Sequence, residues 1–231
     1  MFEKDSNNSD EMRRIIALMT IVLLASFAAR AQWSAGITGG ASFNRFSMDK
    51  QYMIDYALDG LWGATLGVTG QYEISDWLAL RADLNWTQKN HRMHRVKLDK
   101  MDYYYWNDYI QLPVMASFGF GGLNLRGFCN LGVYCGFWMD SYLSGSDFNN
   151  FAGYQFDISE PVTFIPERDQ RFDFGPVGGV GVEYRILPNL SAQVELRCYY
   201  STVSTTRQYM RVKDYRYNTT AVAQLGVSYI F

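Results

Sequence analysis

The chain has 231 residues, with 21 Lys+Arg against 23 Asp+Glu, and this net charge of −2 gives no broad reason to expect a nucleic-acid partner. Three cysteines are too few for a disulfide framework, and two histidines leave little for a metal cluster. The 48 % hydrophobic and 16 % aromatic content excludes disorder, while a mean hydropathy of −0.18 is too polar for a helical membrane protein.

The chain opens with an expected address. Residues 15–29 form an apolar run broken only by Thr20 and Ser26, preceded by Arg13 and Arg14 and followed by Ala29-Arg30-Ala31. A basic segment, an apolar run and small residues at −3 and −1 read as a cleavable signal peptide over 1–31, with Gln32 at the mature N-terminus. Glu3, Asp5, Asp10 and Glu11 are atypical of such a segment, so translation is expected to start at Met12. The alternative, a membrane-anchoring helix, is disfavoured because the run is shorter than the roughly 20 residues that span a bilayer.

From residue 32 onward, period-2 alternation recurs. Strands are expected at 33–44 and 60–74, and over 78–87 Leu78, Leu80, Ala82, Leu84 and Trp86 oppose Arg81, Asp83, Asn85 and Thr87. Two more follow at 107–118 and 123–139. Over 172–186, Phe172, Phe174, Val180, Val182, Tyr184 and Ile186 oppose Asp173, Gly175, Gly179, Gly181, Glu183 and Arg185. Alternation over 190–200 sets Leu190, Val194, Leu196, Cys198 and Tyr200 against Ser191, Gln193, Glu195, Arg197 and Tyr199. The last strand carries Tyr217, Ala221, Leu225, Val227, Tyr229 and Phe231 on one face. Short turns at Ser75-Asp76, Gly121-Gly122 and Leu187-Pro188-Asn189 alternate with long connectors at 45–59, 88–106, 140–171 and 201–216. The prediction is an all-β, eight-stranded antiparallel up-and-down transmembrane barrel over 32–231.

Charge orients the strands. Glu73, Arg81, Asp83, Arg126, Asp173, Glu183, Arg185, Glu195 and Arg197 all lie on polar faces, and the apolar faces carry no charge in mid-strand. Arg or Lys facing lipid near the midplane costs about 2–4 kcal/mol, so the charged faces are expected to line the lumen. Eight strands enclose only enough room for side chains, so these charges are expected to pair and plug it. The R-x-D and E-x-R patterns are read as cross-strand pairs between neighbouring strands. Trp33, Tyr72, Trp77, Phe118, Phe120, Tyr184, Tyr229 and Phe231 are expected at the short-turn interface. Tyr103, Tyr104, Tyr105, Trp106, Tyr109, Tyr199 and Tyr200 are expected at the long-loop interface.

The segments A-G-I-T-G-G-A-S-F (35–43), W-L-A-L-R-A-D-L-N-W-T-Q-K (77–89), Y-I-Q-L-P-V (109–114), F-D-F-G-P-V-G-G-V-G-V-E-Y (172–184) and the closing Y-I-F (229–231) carry a resemblance. In order and spacing, the chain resembles the PorT-type outer-membrane β-barrel domain of Bacteroidota, within the small OmpA-like barrels. The resemblance implies residence in the outer membrane of a Gram-negative bacterium and a terminal aromatic signal, Tyr229 and Phe231, read by the barrel-assembly machinery. It also implies an accessory role beside secretion-complex proteins.

No catalytic, cofactor or metal site is expected. His91 and His94 form H-x-x-H beside Arg92 and Arg95, but residues i and i+3 of a strand face opposite ways, and a solvated loop pair is the simpler reading. A lipid-modifying enzyme would need a serine such as Ser42, Ser47 or Ser201 next to a histidine. Cys129, Cys135 and Cys198 fall on lipid-facing positions and read as free thiols, since Cys129 and Cys135 lie too far apart on one strand to bridge. The long 140–171 connector mixes Tyr142, Phe148, Phe151, Tyr154, Phe156 and Phe164 with Asp140, Asp147, Asp157 and Glu160, a composition suited to recognition. The 201–216 connector is basic, with Arg207, Arg211, Lys213 and Arg216, and suits contact with lipopolysaccharide phosphates. The function expected is a monomeric, non-enzymatic barrel with a surface-binding or structural role. A lipid-modifying enzyme and a narrow channel are the alternatives.

Overall fold

The computed structural model describes residues 33–49, 55–97, 101–122, 124–149, 151, 153–207 and 215–231. The expected signal peptide and start at Met12 lie outside the described residues. Ten strands run in order: β1 (Trp33–Met48), β2 (Tyr56–Ser75), β3 (Leu78–Gln88), β4 (His91–Arg95), β5 (Asp102–Gly121), β6 (Leu125–Asn149), β7 (Tyr154–Pro161), β8 (Phe172–Leu187), β9 (Leu190–Tyr200) and β10 (Arg216–Ile230). Every pairing is antiparallel, and β1 pairs with both β2 and β10, so the sheet closes. β3 and β4 both lie between β2 and β5 and form one interrupted stave. Counting that stave once and leaving aside β7, which pairs only with β6, the ring has eight strands.

The outward faces explain the composition. Ile37, Leu66, Leu84, Leu112, Leu131, Val180, Val194, Leu196 and Leu225, which together sample every stave, are all exposed. An apolar belt of this extent would drive aggregation in water and is stable only against lipid. Aromatics edge the belt near the short turns, where Trp33 packs on Tyr72 at 4.8 Å, Trp77 on Phe118 at 6.2 Å and Tyr229 on Phe231 at 5.1 Å. At the opposite edge Phe43 meets Trp62 at 5.2 Å, and Tyr200 is exposed beside them on the ring. Tyr109 and Tyr199, expected at that interface, instead point inward and are almost fully buried. Both lie on the lumen-facing parity of their strands, so alternation overrides the aromatic preference for the interface.

The staves on the long-connector side run far past the belt. About 9–11 residues suffice for a barrel strand to cross a bilayer, whereas β6 has 25 and β5 has 20. The stretches expected as loops at 88–106 and 140–171 are therefore largely strand: β4 and the start of β5 fill the first, and the end of β6 and β7 fill much of the second. Outside the bilayer both faces meet water, so the apolar–polar rhythm fades while the backbone ladder continues. A bulge adds to this. Asp108 pairs with Asp140 and Tyr109 with Trp138, leaving Met139 as an extra residue, so Ser141 and Trp138 both turn inward.

Candidate functional site

The lumen-facing parity of β3 carries Arg81 and Asp83, and that of β9 carries Glu195 and Arg197. These strands are not neighbours. They stand opposite each other across the ring, so the expected pairing between adjacent strands is corrected to pairing across the lumen. Arg81 Nε binds Asp83 Oδ1 at 3.0 Å, and its Nη1 lies 3.4 Å from Glu195 Oε2. Arg197 Nη1 reaches Asp83 Oδ2 at 2.8 Å, and its Nε and Nη2 grip Glu195 at 2.9 and 2.8 Å. The four charges close a ring with no net charge.

Neutral side chains add hydrogen bonds to this ring. Thr69 donates to Asp83 at 2.6 Å, Asn130 and Gln224 each donate to Glu195 at 2.8 Å, and Arg81 Nη1 donates to Gln193 at 3.1 Å. Since β3, β9, β2, β6 and β10 all contribute, the cluster spans the lumen rather than lining one wall. Buried charges persist only when paired and hydrogen-bonded, which is the condition met here. Met115, Tyr134, Val177, Tyr199 and Val222 pack around it as a small apolar core.

A second layer lies toward the long-connector end. Asp173 accepts from Lys89 Nζ at 2.6 Å, from Ser201 Oγ at 2.6 Å and from Tyr134 Oη at 3.2 Å. Lys89 is wholly buried, yet it was absent from the expected lumen set because the strand was expected to stop at residue 87. The signal was present, since residues 81, 83, 85, 87 and 89 share one parity. The stave breaks just after it. Asn90 Nδ2 donates to the Trp62 carbonyl at 3.0 Å, and its Oδ1 accepts from the Asn107 amide at 3.1 Å, joining β2 and β5 where the ladder stops.

At the short-turn end Arg126 Nη1 lies 3.3 Å from Glu73, and Nη2 donates to the Asp76 carbonyl at 2.7 Å. Glu183 sits opposite Arg126 in the β6–β8 ladder, and Arg185 follows on β8. Both are half-exposed at the rim, and among the described residues neither forms an ion pair. Tyr229 and Phe231 close the seam, with the Phe231 amide donating to the Trp33 carbonyl at 2.9 Å.

The recognition residues separate by place. Tyr142 lies on β6, its hydroxyl 2.7 Å from that of Ser159, and Phe148 lies near the end of the same strand. Phe151 is fully exposed between the strands, and Tyr154 and Phe156 are exposed on β7 with rings 6.2 Å apart. Arg207 donates to Gln170 at 3.0 Å, while Arg211 and Lys213 lie outside the described residues.

The two histidines diverge, as their spacing requires. His91 turns inward and, contrary to the expected solvated pair, is buried, stacked 4.2 Å from Phe46 and 4.8 Å from Tyr105. His94 lies 3.3 Å from Asp59, and Arg92 binds Asp102 through two bonds of 2.7 Å. Those bonds hold the Asp102 carboxyl below the usual carboxylate range. Among the described residues neither histidine bonds a serine: Ser42 donates to the Gln88 carbonyl, Ser47 to that of Tyr217, and Ser201 to Asp173. No group of three or more metal-ligating side chains occurs among the described residues. Cys129, Cys135 and Cys198 are free thiols.

The outer membrane protein OprG of Pseudomonas aeruginosa superposes with a TM-score of 0.51 at 15% identity, over 86% of this chain and 95% of that one. Ail, the attachment invasion locus protein of Yersinia pestis, gives 0.44 at 14% identity, over 86% and 99%. Neisserial surface protein A gives 0.43 at 16% identity, over 85% and 97%. No curated protein matches the sequence. The lipid-facing belt, the eight-stranded closure and a family match over residues 15–231 agree: the chain belongs to the outer membrane protein beta-barrel domain family and resides in the outer membrane as a multi-pass barrel.

Proposed function

We propose that this barrel is a non-enzymatic surface-recognition protein whose sealed lumen serves stability and whose projecting β6–β7 hairpin makes contact. The carrying observation is the hairpin itself. It rises beyond the barrel, and residues 140–161 contain Asp140, Asp147, Asp157 and Glu160 with no Lys, Arg or His. Exposed Phe151, Tyr154 and Phe156 stand among these charges. Aromatic anchors supply contact area at low entropic cost, and the uniform sign of charge steers a basic partner.

The ordered motifs that resemble PorT-type barrels support a finer reading, an accessory to protein secretion in a Bacteroidota outer membrane. The basic 201–216 connector supports contact with lipopolysaccharide phosphates, and a monomer suffices for both.

The test is photo-cross-linking in intact cells, with a photoreactive residue replacing Phe151, Tyr154 or Phe156. One shared adduct at the three hairpin positions, missing at lipid-facing Leu131, is the expected result. Absence of any protein adduct at the hairpin refutes the reading. The enzyme alternative predicts a mass shift of lipid A that disappears in His91→Ala.

A further inference from the structure

Above the Lys89–Asp173 layer the barrel opens into a blind cavity of about 370 Å³, facing outward. Its size falls within the roughly 300–1,000 Å³ of small-molecule sites. One wall is the ring stack of Phe46, His91 and Tyr105, nearly parallel at 13° and 9°. Trp138, parallel to Tyr109 at 3° and 5.8 Å, adds a second aromatic wall on another side. Asn107 and Asn218, both buried, and Thr205 and Thr206 add amide and hydroxyl groups. We infer that this vestibule binds a neutral sugar ring.

Two unmatched donors argue for a ligand with oxygen acceptors. The Trp138 indole N–H is buried without an acceptor among the described residues. His91 Nδ1 faces the Asn107 amide nitrogen at 3.4 Å and must accept from it, so the neutral ring carries its proton on Nε2, which bonds no described residue. A purely apolar ligand would leave these two donors unsatisfied. A cation could sit on the aromatic rings, but the Asp169 carboxylate in the lining is already bound by Arg168 and the Ile165 amide, Arg216 lines the same cavity, and the Lys89 ammonium lies 4.7 Å from the Tyr109 ring centroid. A sugar ring meets both demands. Its C–H face lies flat on aromatic rings, and its hydroxyls accept and donate at the edge. The floor is closed by the charge layers, so the ligand enters from outside and is held rather than passed. The site is separate from the hairpin, and the two readings fail independently.

The test uses the full-length barrel in detergent and saturation-transfer NMR with methyl glycosides of glucose, galactose, mannose and N-acetylglucosamine. Transfer to the ring protons of at least one is expected. Affinity should weaken roughly tenfold in Trp138→Ala, as expected for loss of a stacking ring. Thr206→Trp, which fills the mouth from the rim without altering the stacked walls, should abolish it, and heat-modifiable migration verifies that each variant is folded. An oligosaccharide ending in the responding sugar separates the sources: tighter binding than the methyl glycoside assigns a glycan end, and equal binding assigns a free sugar, and either supports the site. No response from any glycoside, an unchanged response in folded Thr206→Trp, or a response from tetramethylammonium instead overturns the inference.

Discussion

His91 sits outside the lipid belt, sandwiched between two rings and facing a carboxamide donor. Burial first, and the nearby Arg216 charge second, push its pKa down from 6.5 to about 3. The folded protein therefore keeps a neutral imidazole at pH values where the unfolded chain is already protonated. The stability gained is full above pH 6.5 and is lost as pH falls toward 3, with a slope of up to about 1.4 kcal/mol per pH unit from this one group. Carboxylates titrate in the same window, so the measurement is a difference. Urea midpoints of the wild type and His91→Phe, followed from pH 7.5 to 4 in detergent, should converge or cross as the pH falls, because the variant lacks this proton uptake. Parallel midpoints would show that His91 is not held neutral. Two residues earlier on the same parity, Lys89 carries a full charge inward, and the difference is a partner: Asp173 meets the ammonium, while no described carboxylate contacts the imidazole.

At the level of elements, the barrel depends on the β1–β10 seam, where Gly40 pairs with Gln224. A Cβ at Gly40 would meet the Ala223 carbonyl oxygen and lie 2.6 Å from Gln224 Cα, both backbone atoms of β10. Backbone cannot swing aside as a side chain can, so Gly40→Val should force the two closing strands apart. The expected outcome is loss of the heat-modifiable, fast-migrating band, whereas Leu66→Val on the lipid face leaves it unchanged. The same elements show what could be read in advance. Wherever one face met lipid and the other the plug, alternation marked strand, parity and inward charge together, as in Arg81-x-Asp83 and Glu195-x-Arg197. Beyond the belt that contrast disappears. The run Tyr103-Tyr104-Tyr105-Trp106 shows no rhythm although it is all strand, and the bulge at Met139 resets parity with no residue-type signal. Period-2 patterns also carry no ring position, so the opposition of β3 and β9 emerged only from the closed sheet.

For the whole molecule, that opposition decides between a plug and a pore. Arg81 and Asp83 on one side meet Glu195 and Arg197 on the other at hydrogen-bonding distance, so the lumen is blocked by contact rather than merely narrowed. Removing one member leaves an unpaired charge in a dry interior, which costs on the order of 3–5 kcal/mol. Removing all four together leaves none, because two cations and two anions are lost at once. Two expectations follow for purified protein in planar bilayers. Wild type should give no stable open steps. The variant Arg81→Ser, Asp83→Ser, Glu195→Ser, Arg197→Ser should unfold at higher urea than Arg197→Ser alone and should raise the frequency of conductance steps, limited by the intact Lys89–Asp173 layer above. Adding Lys89→Ser and Asp173→Ser removes that second barrier, again without net charge, and should give the larger conductance. Stable steps from wild type would make the charge ring a selectivity filter instead of a seal, and a sixfold variant that folds yet stays silent would mean the neutral Tyr134 and Tyr199 side chains close the lumen unaided.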